Sequence, residues 1–183
     1  MNPWLEKWND TKHIKSKENI FLTVDNYIEE PVKSILDIGC GYARESEHFF
    51  KKYGSELWLL DGDFSDSKDK KRQIKFGKAE DFSFYNKIED LKNSWNERKI
   101  KYTFVNANNI NIPLEKKFHL IYSGLSCGFH YPANTYKDLI LRHSDKNTKI
   151  IFDIRHDSIQ DDIEIVNIIS KNKKHIKAEI KFR

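Results

Sequence analysis

Two glycines directly after a short apolar run constrain the fold of this chain more than any other feature. The run Ser34-Ile35-Leu36-Asp37-Ile38 leads into Gly39-Cys40-Gly41, and residues 43–53 then have the character of a helix. Glycine permits a tight turn and lets a ligand approach the backbone, and the free amides of a helix N-terminus point to the same place. The pattern predicts a buried strand, a turn and a helix that together bind a ligand.

The rest of the chain repeats this alternation of apolar strands and helices. Further strands are predicted at residues 57–60, 102–105, 118–122, 149–154 and 174–182. Helices are predicted at residues 18–30, 79–98, 135–143 and 161–170. The alternation indicates an α/β, Rossmann-like three-layer sandwich with a mostly parallel sheet of six or seven strands. Because only one helix and one clear strand follow the fifth strand, we expect the sheet to be shortened at its C-terminal edge or completed there by a partner chain.

The length of 183 residues favours a single domain, with an N-terminal helical region at 1–32 and a Rossmann-like core at 33–183. No apolar run is long enough to span a membrane, and the first residues lack the basic and apolar segments of a secretory signal. The two cysteines, Cys40 and Cys127, lack metal-site spacing and favour a reduced, cytoplasmic setting. A net charge of +4 is too small to predict nucleic-acid binding.

An acidic residue at the end of the second predicted strand indicates which ligand the turn binds. Asp61 ends that strand, where a carboxylate can accept hydrogen bonds from both hydroxyls of a ribose. A dinucleotide site would have a third glycine where Arg44 stands. Asp37 precedes the first glycine, and its negative charge suits a cationic ligand better than a diphosphate. These residues predict an adenosine ligand with a positive charge, such as S-adenosylmethionine.

The same residues resemble a known family. The segment Ile35-Leu36-Asp37-Ile38-Gly39-Cys40-Gly41, followed by Asp61, resembles the first motif of class I S-adenosylmethionine-dependent methyltransferases. The segments 104–110 and 118–123 resemble the third and fourth strands of that family, so the resemblance covers about residues 33–155. It implies S-adenosyl-L-methionine as cofactor. The cofactor-binding positions that it implies are Asp37, Gly39, Cys40, Gly41, Asp61, Gly62, Asn106, Ala107 and Ser123.

The methyl acceptor is expected to bind after the fourth and fifth strands, because ligands lie at the carboxyl ends of a parallel sheet. The stretch from Cys127 to Tyr136 is similar to a segment of sugar O-methyltransferases, which implies a hydroxyl on a small molecule or glycan as acceptor. His130 is the candidate general base, although its ring could equally pack beside Tyr131. Asp153, at the end of the fifth strand, is a second candidate catalytic residue.

Other functions remain open from the sequence. The loop after the fourth strand lacks the Asp-Pro-Pro-Tyr type of signature that amino-methylating DNA enzymes carry, and Ser123 stands where a metal site would need a carboxylate, so we expect no metal. Six basic residues lie between Lys68 and Lys78, within a candidate insertion at 62–78, and could bind RNA. The alternatives are therefore an RNA or other nucleic-acid methyltransferase and a cofactor-binding regulatory or scaffold protein without transfer activity. The sequence indicates no oligomeric state.

Overall fold

The sheet is the centre of the molecule. The computed structural model describes residues 8–66 and 84–183. Within them the strands, in chain order, are β1 (Ser34–Ile38), β2 (Glu56–Asp61), β3 (Tyr102–Asn106), β4 (Leu120–Ser123), β5 (Lys149–Arg155), β6 (Ile163–Lys171) and β7 (His175–Phe182). Their order across the sheet is β3-β2-β1-β4-β5-β7-β6. The first five strands are parallel to one another, and β7 is antiparallel to both β5 and β6.

Helices cover the sheet on both sides. The described helices are α1 (Thr11–Ile28), α2 (Arg44–Tyr53), α3 (Ile88–Glu97) and α4 (Lys137–His143), with short 3-10 turns at Phe64–Asp66 and Ala133–Tyr136. None of these helices combines the length and the apolar composition that crossing a bilayer would require.

Two apolar cores, one on each face of the sheet, hold these layers together. One core joins the sheet to α1, α2 and α3 through Phe21, Phe49 and Trp95, and the other joins it to α4 through Ile140. Every side chain of β1 is buried, as expected for a strand that is covered on both faces. The predicted three-layer, mostly parallel α/β fold is confirmed.

The chain after β5 differs from the prediction. Residues 161–170 were expected to form a helix, but most of them belong to β6. Five of the seven residues from Ile163 to Ile169 are isoleucine or valine, and these β-branched side chains favour a strand when one is available for pairing. Here β7 provides that pairing. The expected shortening of the sheet is therefore not found, because the sheet contains all seven strands.

A short segment without regular secondary structure replaces the expected helix between β5 and β6. Asn134 and Lys137 anchor this segment: the main-chain amide of Asn134 donates to Gln160 at 3.0 Å, and Lys137 binds the carboxylate of Asp162 at 3.0 Å. Ile159 in this segment is 48% exposed.

The remaining predicted helices are confirmed with shifted bounds. Helix α1 begins at Thr11, earlier than the sequence predicted, and α3 covers only the second half of the predicted helix at 79–98. The first residues of that predicted helix, 79–83, lie outside the described part of the chain. So do the basic residues from Lys68 to Lys78.

Candidate functional site

A cavity of about 540 Å³ opens at the carboxyl ends of β1, β2 and β4. Its wall combines the glycine turn, the first residues of α2, the loop after β4 and side chains near the start of α1. Of the predicted site residues, those that line it are Asp37, Gly39, Cys40, Gly41, Asp61 and His130. The fold therefore brings the predicted turn, the predicted ribose carboxylate and the predicted base to one cavity.

The glycine turn has a backbone conformation that requires its two glycines. Gly39 and Gly41 have φ angles of 68° and 48°, in the left-handed region that other residues seldom adopt. A Cβ atom on Gly39 would lie 1.8 Å from the side-chain oxygen of Ser126, so the loop after β4 packs directly on the turn. A Cβ on Gly41 would meet nothing closer than 3.9 Å, which leaves its backbone open to a ligand.

Asp61 connects the end of β2 to the turn. Its Oδ2 atom accepts a hydrogen bond of 2.8 Å from the amide of Gly41, and Oδ1 accepts one of 2.8 Å from the amide of Gly62. Burial raises the pKa of Asp61 to about 6, although these two amides favour the ionised form. Each carboxylate oxygen keeps a further lone pair that can accept a hydrogen bond from a ligand.

Asp37 lies deeper, at the end of β1. Ser46 of α2 donates a hydrogen bond of 2.6 Å to its Oδ2 atom. Burial raises the pKa of Asp37 to about 7, and the negative charges of Glu45 and Asp61 add to that effect. The Ser46 hydrogen bond and the charge of Lys17 act in the opposite direction. A positively charged ligand beside Asp37 would favour its ionised form.

A buried cluster of charges extends from Asp37 beneath the cavity. Lys17 of α1 and Glu45 of α2 form an ion pair of 2.8 Å, and Lys177 of β7 and Asp153 of β5 form another of 2.9 Å. Lys177 also donates to the hydroxyl of Tyr122 at 2.9 Å, and that hydroxyl lies 3.5 Å from Glu45. The carboxylates of Asp37, Glu45 and Asp153 thus outnumber the two lysines of this cluster.

His130 lies in the loop after β4, and its ring contacts the rings of Tyr85 and Phe129 at centroid distances of 5.5 Å and 5.2 Å. Burial lowers the pKa of His130 to about 4, and the positive charge of Arg155 contributes. The imidazole is therefore neutral at physiological pH. A neutral imidazole can accept a hydrogen bond through one nitrogen, but a pKa this low makes it a weak base.

Asp153 does not line the cavity. Its Oδ1 pairs with Lys177, and its Oδ2 accepts a hydrogen bond of 3.1 Å from the amide of Leu125. Leu125 has a φ angle of 54°, an unfavourable conformation for a leucine, which this hydrogen bond helps to maintain. Asp153 thus contacts the loop after β4 and helps to fix its position at the cavity.

Four other predicted cofactor residues, Gly62, Asn106, Ala107 and Ser123, do not line the cavity either. Ser123 joins two strands, because its hydroxyl donates to the carbonyl oxygen of Ile38 at 2.9 Å. Asn106 lies beside Asp61 at the sheet edge, but its side-chain oxygen accepts from the amide of Asn108 at 2.9 Å. Their assignment to the cofactor stays a prediction.

The sequence reasoning missed the contribution of α1 and of the first turn of α2. Trp8, His13, Lys17 and Glu45 line the cavity, and none was predicted as a site residue. One signal was available: Lys17 lies four residues before the buried Phe21, so it falls on the apolar face of α1. A lysine at such a position is seldom buried without a partner.

Comparison with known proteins identifies the fold. No family model and no curated protein matches the sequence. Among solved structures, one match is the plantazolicin methyltransferase BpumL in complex with a monoazolic desmethylPZN analog and SAH, with a TM-score of 0.56 and 18% identity over 85% of this chain. This chain spans only 56% of the length of BpumL.

Two further solved structures match over more of their own length. The ribosomal protein L11 methylase from Lactobacillus delbrueckii subsp. bulgaricus has a TM-score of 0.56 and 15% identity, over 93% of this chain and 80% of that one. An S-adenosylmethionine-dependent methyltransferase from Clostridium acetobutylicum has a TM-score of 0.51 and 12% identity, over 99% of this chain and 80% of that one. The chain therefore has the Rossmann-like fold of S-adenosylmethionine-dependent methyltransferases.

Proposed function

We propose that this protein is an S-adenosylmethionine-dependent methyltransferase that acts on a hydroxyl group of a small-molecule or sugar acceptor. The observation that carries the proposal is the position of Asp37 and Asp61, which end neighbouring parallel strands and line one cavity with the glycine turn between them. The fold shared with methyltransferases supports the cofactor and the methyl transfer. The hydroxyl acceptor rests on the resemblance of the stretch from Cys127 to Tyr136 to sugar O-methyltransferases.

The residues of the cavity fit this cofactor. Asp61 has lone pairs for the ribose hydroxyls, and Gly41 leaves the adjoining backbone accessible. Asp37 and Glu45 supply negative charge opposite a ligand that carries a sulfonium and an ammonium group. The cavity volume of about 540 Å³ lies within the range of small-ligand sites.

The proposed reaction requires little acid–base chemistry from the protein. When bound, the cofactor would supply a methyl group on a positively charged sulfur. An acceptor oxygen would attack the methyl carbon as the carbon–sulfur bond breaks to leave the thioether, and the hydroxyl proton would pass to water. His130 accepts the hydrogen bond of the acceptor hydroxyl and so orients its oxygen. Because the pKa of His130 is only about 4, most of the rate comes from the alignment of the two reactants in the cavity. Asp153 and Lys177 hold the loop that carries His130.

The proposal includes a cytoplasmic location, which the two free cysteines, Cys40 and Cys127, support. The matched structures include a methyltransferase in complex with a desmethylPZN analog and a ribosomal protein methylase, so the experiment must also cover acceptors other than small hydroxyl compounds. A nucleic-acid acceptor and a role without transfer are two further outcomes to be separated.

The test has two stages. Calorimetry with S-adenosylmethionine and S-adenosylhomocysteine should give dissociation constants in the micromolar range for the wild type and much weaker binding for Asp61→Ala. Absence of binding at millimolar concentration would overturn the proposal. A methyl-transfer screen with labelled cofactor then compares hydroxyl compounds, peptides and RNA. Transfer to hydroxyl compounds supports the O-methyltransferase assignment, whereas transfer to another class, or to none, contradicts it.

A further inference from the structure

Helix α1 brings one lysine into the buried end of the cavity. The side chain of Lys17 is buried, and its Nζ lies 2.8 Å from Oε1 of Glu45, the first-turn residue of α2. Both residues line the cavity. Burial acts to lower the pKa of Lys17, but the charge of Glu45 and its hydrogen bond raise that pKa above its usual value. Lys17 is therefore an ammonium ion inside the site.

The ammonium group of Lys17 has capacity for another partner. An ammonium has three donors, and the hydrogen bonds recorded among the described residues account for one of them, to Glu45. Arg44 is the other lysine or arginine among the described lining residues. Its two Nη atoms bind Asn9 at 2.7 Å and Glu47 at 3.5 Å, and its buried Nε has no hydrogen-bond partner in the described part of the chain. Lys17 has two donors left on one ammonium group, so we assign Lys17 to the anionic group of a ligand.

The charges at this end of the cavity are opposite in sign to those at one end of the proposed cofactor. The cavity presents two carboxylates, Asp37 and Glu45, and one ammonium, Lys17. The amino-acid end of S-adenosylmethionine carries two positive centres, the sulfonium and the α-ammonium, and one carboxylate. Opposite charges attract most strongly where water is excluded, as in this buried end of the site.

We propose that Lys17 binds the α-carboxylate of the cofactor, so that the site selects adenosine thioethers and sulfoniums that carry an amino-acid group over those that lack it. This inference rests on the proposed function. Glu45 is a positioning residue in this arrangement, because its ion pair holds the lysine side chain at the cavity wall before the ligand arrives. A flexible lysine that is already held loses less conformational entropy on binding.

The experiment compares two ligands that differ only at this end. S-Adenosylhomocysteine carries the amino-acid group, and 5′-methylthioadenosine has the same adenosine and sulfur without it. The wild type should bind S-adenosylhomocysteine more tightly. In Lys17→Met, affinity for S-adenosylhomocysteine should fall by about 10- to 100-fold, the range for a lost charged hydrogen bond, while affinity for 5′-methylthioadenosine changes by less than about threefold. The exposed Lys15→Met on the same helix is the matched control and should leave both affinities unchanged.

A double variant distinguishes a role of Lys17 in ligand binding from a role in the protein structure alone. Lys17→Met/Glu45→Gln removes both charges of the ion pair, so Glu45 is not left as a buried carboxylate without its lysine. If Lys17 binds the ligand, the double variant should bind S-adenosylhomocysteine more weakly than the single variant Glu45→Gln does, with little difference for 5′-methylthioadenosine. Equal affinity of these two variants for S-adenosylhomocysteine would overturn the inference. An equal loss of both ligands in Lys17→Met would overturn it as well.

Results for the wild type distinguish the inference from the function on which it rests. Equal affinity for the two ligands overturns the role of Lys17 and leaves the proposed function standing. Failure to bind either ligand overturns both.

Discussion

The main-chain amide of Gly41 and the carboxylate of Asp61 are joined by a hydrogen bond of 2.8 Å, which connects the turn after β1 to the end of β2. The other oxygen of the same carboxylate accepts from the amide of Gly62. Asp61 therefore has two functions that experiments must separate: it shapes the turn, and it presents lone pairs to the cavity.

Replacing Asp61 should weaken cofactor binding. Asp61→Asn keeps the shape of the side chain but presents an amide in place of a carboxylate, so one of the two main-chain donors loses its acceptor. We expect a loss in S-adenosylhomocysteine affinity of about 10- to 100-fold, as for a lost hydrogen bond to a charged group. Calorimetry measures this loss. Glu56→Gln, on the exposed start of the same strand, is the control, and an unchanged affinity in Asp61→Asn would contradict the prediction.

Cofactor affinity should rise with pH between pH 6 and pH 8. The pKa of Asp37 in the empty site is about 7, and a cationic ligand binds the ionised form of this carboxyl better. Since the ionised fraction of a group with that pKa rises about tenfold over this interval, affinity should rise by a similar factor. Titrations in buffers of different ionisation enthalpy should also detect proton release on binding. Asp37→Asn should leave only the rise of about twofold that the ionisation of Asp61, with its pKa of about 6, contributes over this interval. A flat profile in the wild type would contradict the assignment.

The contribution of Asp37 should make the ligand-free protein less stable at pH 8 than at pH 5. The pKa of this carboxyl is raised in the folded state, so its stabilising contribution is present below its unfolded pKa and is lost as pH rises through about 7. The shift corresponds to roughly 4 kcal/mol at most. Asp37→Asn should therefore raise the free energy of unfolding at both pH values, and by more at pH 8 than at pH 5, as measured by urea denaturation. An equal effect at both pH values would argue against a raised pKa.

His130 should affect the rate of transfer more than the binding of the cofactor. His130→Gln keeps a hydrogen-bond acceptor in the loop but removes the imidazole. We expect kcat to fall by about 10-fold, which is less than the loss typical for a general base, because a group with a pKa of about 4 is a weak base. Affinity for S-adenosylhomocysteine should stay within about twofold of the wild type. A full rate in this variant would leave His130 as a packing residue beside Tyr85.

The buried pair of Asp153 and Lys177 should stabilise the protein only as a pair. Asp153→Asn leaves the ammonium of Lys177 buried without its carboxylate and should lower the free energy of unfolding by about 3–5 kcal/mol. The double variant Asp153→Asn/Lys177→Met should recover much of this loss, because no charge then remains unpaired. Denaturant unfolding of the single and double variants measures both effects. If the single variant were as stable as the wild type, the assignment of this pair to the loop support would be wrong.

The central strands could be predicted because each is an apolar run that must be buried on both faces. β1, β2 and β5 lie within one or two residues of their predicted positions. The segment from Ile163 to Ile169 was mistaken for a helix, since its apolar residues fit a helical face as well as a strand. What decided between them was β7, a partner later in the chain, which no local pattern reveals.

The sequence by itself determined the glycine turn and its acidic partner, because a left-handed backbone requires glycine and because residues at the ends of neighbouring parallel strands must meet. Asp37, Gly39, Gly41 and Asp61 therefore line one cavity, as their order along the chain implied. Only the tertiary structure decided that Asp153 lies beneath the cavity with Lys177, and that Lys17 enters it from α1 to meet Glu45. Asp153 and Lys177 are 24 positions apart in the chain, and Lys17 and Glu45 are 28 positions apart. Burial of such a charge requires that packing of distant segments places an opposite charge beside it.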